Sequence, residues 1–81
     1  MLTSKTPRLD LHGEEVALVY ALVTEFIRDR AKMNDKLVVI IHGKSTNILT
    51  KEVHKVLKKE KLVSKFYLNN WNVGETVVHL K

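Results

Sequence analysis

Two short stretches of this 81-residue chain carry the residue types for acid–base chemistry on a phosphodiester: Leu9-Asp10-Leu11-His12-Gly13 and His42-Gly43-Lys44-Ser45. Histidine takes up or releases a proton near neutral pH, and an aspartate beside it can orient the ring. Glycine lets a backbone approach a ligand closely, and lysine offers a phosphate a positive charge. The second stretch also ends like a nucleotide-binding P-loop, Gly-x-x-x-x-Gly-Lys-[Ser/Thr]. That loop needs its first glycine where this chain has Val38, inside an apolar run, so the match is accidental.

Six elements must position these residues. "RLDLH" (8–12) alternates, with Leu9 and Leu11 on one side and Asp10 and His12 on the other, which predicts a half-buried strand. "EEVALVYALVTEFIRDRA" (14–31) predicts a helix with Glu14 and Glu15 in its first turn and Arg28 and Arg30 in its last, as the helix dipole favours. Its core stripe is Val16, Val19, Val23, Phe26 and Ile27, widened by Leu18 and Leu22. "KLVVII" (36–41) is apolar without alternation, the pattern of a central strand covered on both faces. A second helix spans about Ile48 to Lys61, with Leu49, Val53, Val56 and Leu57 turned inward. "VSKFYL" (63–68) alternates, "NNWNVGE" (69–75) forms a loop, and "TVVHL" (76–80) closes the sheet.

The order βαβαββ predicts an α/β fold, a two-layer sandwich with both helices on one face of a four-stranded mixed sheet. Unalternating strands belong in the centre and alternating ones at the edges, which gives the sheet order 1-2-4-3 with strand four antiparallel. Residues 1–7 are expected to be a short leader or linker stub, and residues 8–81 the domain.

Composition narrows the function. A chain this short has one modest core, burying about 60% of its unfolded surface. It has no cysteine, so a disulfide framework and thiolate zinc are excluded and a reducing, cytoplasmic setting is expected. No segment has the roughly 20 apolar residues that span a bilayer, so no membrane partner is expected. The formal charge is +5, from 14 basic and 9 acidic side chains. Seven lysines between Lys44 and Lys65 face only Glu52 and Glu60, while the remainder balances seven against seven. A surplus concentrated in this way points to one anionic partner, against the plainer alternative of a solvated lysine face.

In a parallel β-α-β unit successive strand ends share one sheet edge, so His12 and His42 are expected as neighbours. The N-termini of both helices open beside them and favour an anion. Asp10, His12, His42, Gly13, Gly43 and Lys44 thus converge into a candidate phosphodiester site. Lys51, Lys55 and Lys58 follow with i, i+4, i+7 spacing, one stripe for a phosphate backbone. Trp71 either stacks on an unpaired base or plugs the end of the core. His54 is expected on the polar side of the second helix. His79 ends an antiparallel strand, roughly 15 Å from His42 at about 3.3 Å per residue, so no His12/His42/His79 zinc site is expected.

From Arg8 to Lys81 the chain resembles the Smr, or small MutS-related, domain. The family's Leu-Asp-x-His-Gly motif is present as Leu9-Asp10-Leu11-His12-Gly13, and its His-Gly-x-Gly motif begins at His42-Gly43-Lys44. Its closing Gly-x-Thr-x-Val-x-Leu matches Gly74, Thr76, Val78 and Leu80. The resemblance implies a fold similar to the C-terminal domain of bacterial translation initiation factor three. It also implies a nucleic-acid-binding endonuclease, either a stand-alone protein or the C-terminal domain of a MutS-like protein. Such domains are associated with nicking DNA in recombination and repair and with cutting RNA at stalled ribosomes. Carried over by position, the motifs make Asp10, His12 and His42 catalytic, with Gly13, Gly43, Lys44 and Ser45 around the phosphate. Ser45 replaces the second glycine of His-Gly-x-Gly, Asn47 another frequent glycine, and Thr50 a frequent arginine.

Two histidines and an aspartate can cut RNA without a metal, because the 2′-OH is an internal nucleophile. DNA cleavage needs an activated water, usually on a divalent metal held by several carboxylates, and only Asp10, Glu14 and Glu15 lie near this edge. A non-catalytic module that docks on DNA, RNA or the ribosome is the alternative function.

Overall fold

The computed structural model describes residues 2–44 and 47–81. Its elements are β1 (Arg8–Asp10), α1 (Val16–Lys32), β2 (Leu37–Ile41), α2 (Ile48–Lys59), β3 (Val63–Asn69) and β4 (Asn72–Leu80). The strands form one sheet in the order β1-β2-β4-β3. β1 runs parallel to β2, and β4 is antiparallel to both of its neighbours. This is the topology that the alternation patterns predict.

Period-two alternation divides the sheet into two faces. Val38 and Ile40 of β2 and Val78 and Leu80 of β4 meet Val19, Val23 and Ile27 of α1 and Val53, Val56 and Leu57 of α2 in a single core. Both helices therefore lie on one face. Val38, Val39 and Ile40 have no exposed surface, which explains the unbroken apolar run in β2.

Four local expectations are corrected. α1 starts at Val16 with Glu15 as its N-cap, so no acidic residue lies in its first turn. Val16 and Leu18 are 40% and 45% exposed. Val19, Val23 and Ile27 repeat every four residues and define the buried stripe, and Leu18 lies about 100° round the helix from Val19. α2 stops at Lys59, because Glu60 already has extended backbone angles. The last strand begins at Asn72, which shrinks the expected loop to Asn70-Trp71.

That hairpin is held by its own asparagines: Trp71 N–H donates to Asn69 Oδ1 (3.0 Å) and Gly74 N–H to Asn72 Oδ1 (3.0 Å). Leu68 pairs with Thr76 and the next residue, Asn69, with Asn72, so Val73–Glu75 bulge from the ladder. α1 ends in a Schellman motif, with Asn34 at φ 63°, Asn34 N–H on Ala31 O (3.0 Å) and Asp35 N–H on Arg30 O (3.0 Å).

Candidate functional site

β1 is short, and the chain leaves it through a tight turn. Leu11 N–H donates to Ile41 O (2.7 Å), continuing the parallel pairing, and Glu14 N–H donates to Leu11 O (2.9 Å). Gly13, at φ 79°, takes the third turn position, where the backbone must enter the left-handed region. His12 is left at the exposed corner. The Asp10 carboxylate accepts the His12 backbone N–H (Oδ1, 2.9 Å), so it fixes the turn that presents the ring.

The β1–β2 register decides which residues meet. Asp10 pairs with Ile41, so the parallel ladder extends Leu11 opposite His42 and His12 opposite Gly43. A Cβ on Gly43 would lie 3.6 Å from His12 Cδ2: the imidazole rests beside this glycine. Gly43 itself is at φ 88°. The two His-Gly loops therefore share one edge, offset by one residue.

His42 does not take the open position expected of it. In phase with Val38 and Ile40 it points toward the helices and is only 3% exposed. Its Nδ1 lies 2.8 Å from Thr50 Oγ1 on α2, and its Nε2 lies 2.8 Å from Thr76 Oγ1 on β4. Thr76 Oγ1 also lies 2.8 Å from His54 Nε2. The hydroxyl has one proton and can accept from one ring while donating to the other. A partly buried chain, Thr50–His42–Thr76–His54, thus ties the end of β2 to β4 and to α2.

His54 is therefore not the surface residue that its place in the sequence implied. It is half-buried, packed on Phe66 with ring centroids 5.0 Å apart and edge-on to His42 at 6.1 Å. Burial, with the nearby His42 and Lys58, lowers its pKa below the ordinary histidine value. Sequence reasoning missed Thr50, His54 and Thr76 as a unit. The signal was the i, i+4 spacing of Thr50 and His54 beside the inward Val53 and Leu57, together with the alternation that puts Thr76 in phase with Val78 and Leu80. Thr50 holds His42 at the place where the Smr pattern often has an arginine.

Lys44 is exposed, and its stem crosses β4: a Cβ on Gly74 would lie 3.0 Å from Lys44 Cγ. Gly74 O also accepts the N–H groups of His42 and Gly43, both at 2.9 Å. The bulge of β4 thus closes the floor of the loop. Ser45 lies outside the described residues. Lys51, Lys55 and Lys58 are exposed along α2, and its N-cap Asn47 makes no side-chain cap bond. Trp71 is 96% exposed, so it does not plug the core. His79 pairs with Leu37, at the opposite end of β2 from His42. Among the described residues no three His, Cys, Asp or Glu side chains gather as a metal site would require.

These features can be set against known proteins. Residues 9–81 match the Smr domain family. The chain belongs to this family. Curated relatives include Endonuclease MutS2 of Geobacillus sp. (strain WCH70), 37% identical over 76 residues, and Endonuclease MutS2 of Halothermothrix orenii, 35% identical over 69 residues. The matches cover 90% and 85% of this chain but only 10% and 9% of those proteins. The Smr domain of Thermus thermophilus MutS2 superposes with a TM-score of 0.89 at 25% identity, over 94% of this chain and 99% of that one. YdaL, a stand-alone small MutS-related protein of Escherichia coli, superposes with a TM-score of 0.88 at 24% identity, over 96% of this chain and 69% of that one. No helix among the described residues of this Smr domain is long and apolar enough to cross a membrane.

Proposed function

We propose that this Smr domain binds nucleic acid along Lys44 and the lysine side of α2 and cuts RNA at the His12 edge. The observation that carries the proposal is the exposed His12 imidazole lying beside Gly43, at the sheet edge where α2 begins. A phosphate seated over Gly43 meets the Lys44 ammonium and the N-terminus of α2, both of which stabilise negative charge. His12 then takes the proton of the ribose 2′-OH. The 2′-oxygen attacks phosphorus, the bond to the 5′-oxygen breaks, and that oxygen leaves with a proton from solvent. The product is a 2′,3′-cyclic phosphate.

Asp10 and His42 serve as positioning residues in this reading. Asp10 holds the turn that presents His12, and His42 anchors Gly43 through Thr50 and Thr76. For DNA, a divalent metal would have to activate water, and Asp10 with His12 is too small a donor set to hold one as P-O hydrolases do. RNA is therefore the favoured substrate, with a place at stalled ribosomes in the cytoplasm ahead of DNA recombination or repair. A non-catalytic ribosome- or nucleic-acid-docking module is the second reading, favoured by the engagement of the Asp10 carboxylate with the backbone of His12.

Incubation of the purified chain with end-labelled RNA and with nicked, branched and linear DNA, with and without EDTA, tests the proposal. RNA cleavage that survives EDTA is expected. Cleavage of DNA alone, abolished by EDTA, would overturn it, and binding without cleavage of either polymer would establish the docking module.

A further inference from the structure

The helices cover one face of the sheet. The other carries an arrangement that the phosphate chemistry at His12 does not use. Tyr67 pairs with Val77, and Lys65 pairs with His79, so all four side chains share that face. Tyr67 and His79 lie side by side, with ring centroids 5.6 Å apart and planes tilted by 36°. Tyr67 Oη lies 3.0 Å from His79 Nε2, a hydrogen bond that fixes both rings. With Leu2, Leu37, Asn69 and Trp71 they enclose an open cavity of about 260 Å³. This is slightly below the range of about 300–1,000 Å³ usual for small-molecule sites, a size for one flat ring.

Trp71 stands at its rim with 96% of its surface exposed. Its backbone is nonetheless held, by its N–H on Asn69 Oδ1, while Asn69 Nδ2 donates to the buried Glu75 Oε1 (2.8 Å). An indole held in water by an ordered two-residue turn gains nothing from the fold. Asn70, beside it in the turn, has an exposed amide with no hydrogen bond to the described residues.

We infer that this cavity binds one unpaired base of a single-stranded nucleic acid, stacked on Trp71 over the Tyr67–His79 pair, with the adjoining phosphate on Lys65. Three features select that occupant. Three flat rings, Tyr67, Trp71 and His79, line the cavity beside Leu2, Leu37 and Val77, with the Asn69 and Asn70 amides among them, a mixture of ring faces and polar groups that suits a base better than an aliphatic side chain. Lys65 supplies the charge that the backbone needs. The hairpin is also continuous with the His12 edge, because Gly74, three residues after Trp71, accepts the N–H groups of His42 and Gly43. A strand leaving the site along the hairpin would run toward the cavity, whose far wall is His79 opposite Leu37, and duplexes are disfavoured because their base faces are already stacked. The inference rests on the nucleic-acid reading above and deepens it by naming single strands as the substrate class.

Trp71 is the only tryptophan of the chain, so its fluorescence reports the site directly. The full chain is titrated with single-stranded 2′-O-methyl RNA, with single-stranded DNA and with a DNA duplex, while anisotropy of a labelled oligonucleotide measures occupancy independently. Quenching of Trp71 by either single strand, and none by the duplex at equal occupancy, is expected. Tyr67→Ala and Trp71→Ala should each weaken single-strand binding by about 5- to 100-fold and leave duplex binding unchanged. Trp71→Ala cannot fail through unfolding, since the indole touches almost nothing. Single-strand binding without quenching and unaffected by either substitution would overturn the base site while leaving the phosphate reading intact. Absence of binding to any of the three polymers would overturn both.

Discussion

His12 lies against Gly43, while His42, the neighbour of that glycine, is turned beneath the sheet edge and bonded to Thr50 and Thr76. Two histidines that look equivalent in the sequence are thereby given different work. One ring meets solvent at the site, and the other holds the loop from below.

Substitution should separate the two roles. His12→Ala removes an exposed side chain and should change stability by less than about 0.5 kcal/mol. His42→Ala leaves the part-buried Thr50 hydroxyl without its partner and the buried Thr76 hydroxyl with His54 alone, and should cost about 1–3 kcal/mol. Urea unfolding of both variants measures this. Equal losses would contradict the different placement of the rings.

Gly43 should resist substitution for a backbone reason. A Cβ there meets His12 only at ordinary contact distance, but φ is 88°. Gly43→Ala should therefore cost about 1–2 kcal/mol of stability through strain alone. At Gly74 the obstacle is space: the stem of Lys44, 3.0 Å from the added Cβ, would have to shift. Gly74→Ala should weaken nucleic-acid binding more than it lowers the melting temperature.

The fold was legible because each of its signals is local. Alternation over residues 8–12 and 63–68 marked β1 and β3 as edge strands, and the unbroken apolar run 36–41 marked β2 as a central one. The site was legible only as an edge. Strand ends show which loops gather, but whether His12 faces Gly43 or His42 depends on a register of one residue, and that is set by the pairing of Asp10 with Ile41. The Thr76 bridge joins residues 34 and 22 positions apart, which no periodicity connects.

Mild acid should destabilise the fold through two histidines. Burial first, then His42 and Lys58, lowers the pKa of His54, and burial with Lys65 does the same for His79. The unfolded chain then takes up protons more readily. Their contribution is complete above the ordinary histidine value of about 6.5 and is lost as the pH falls below it. The melting temperature should therefore drop between about pH 7 and pH 5, and His54→Gln should make the drop smaller. An unchanged pH profile in that variant would assign the drop to other groups.

The lysine side of α2 predicts a salt dependence. If Lys44, Lys51, Lys55 and Lys58 neutralise about four phosphates, log K should fall against log salt with a slope near −3.6 on duplex DNA. Replacing Lys51 and Lys55 together by glutamine should flatten that slope by up to about two units, with similar losses on all sequences. Both side chains are exposed, so stability should hold. An unaltered slope would show the stripe to be a solvated face.

Single-turnover cleavage of a labelled RNA by the wild-type chain and by His12→Ala asks whether His12 is the base at this edge. Metal-independent cleavage that leaves 2′,3′-cyclic phosphate ends is expected, slowed by about 100-fold or more in His12→Ala, with the variant still folded and still binding RNA. Cleavage that proceeds at the wild-type rate without His12 would contradict that role.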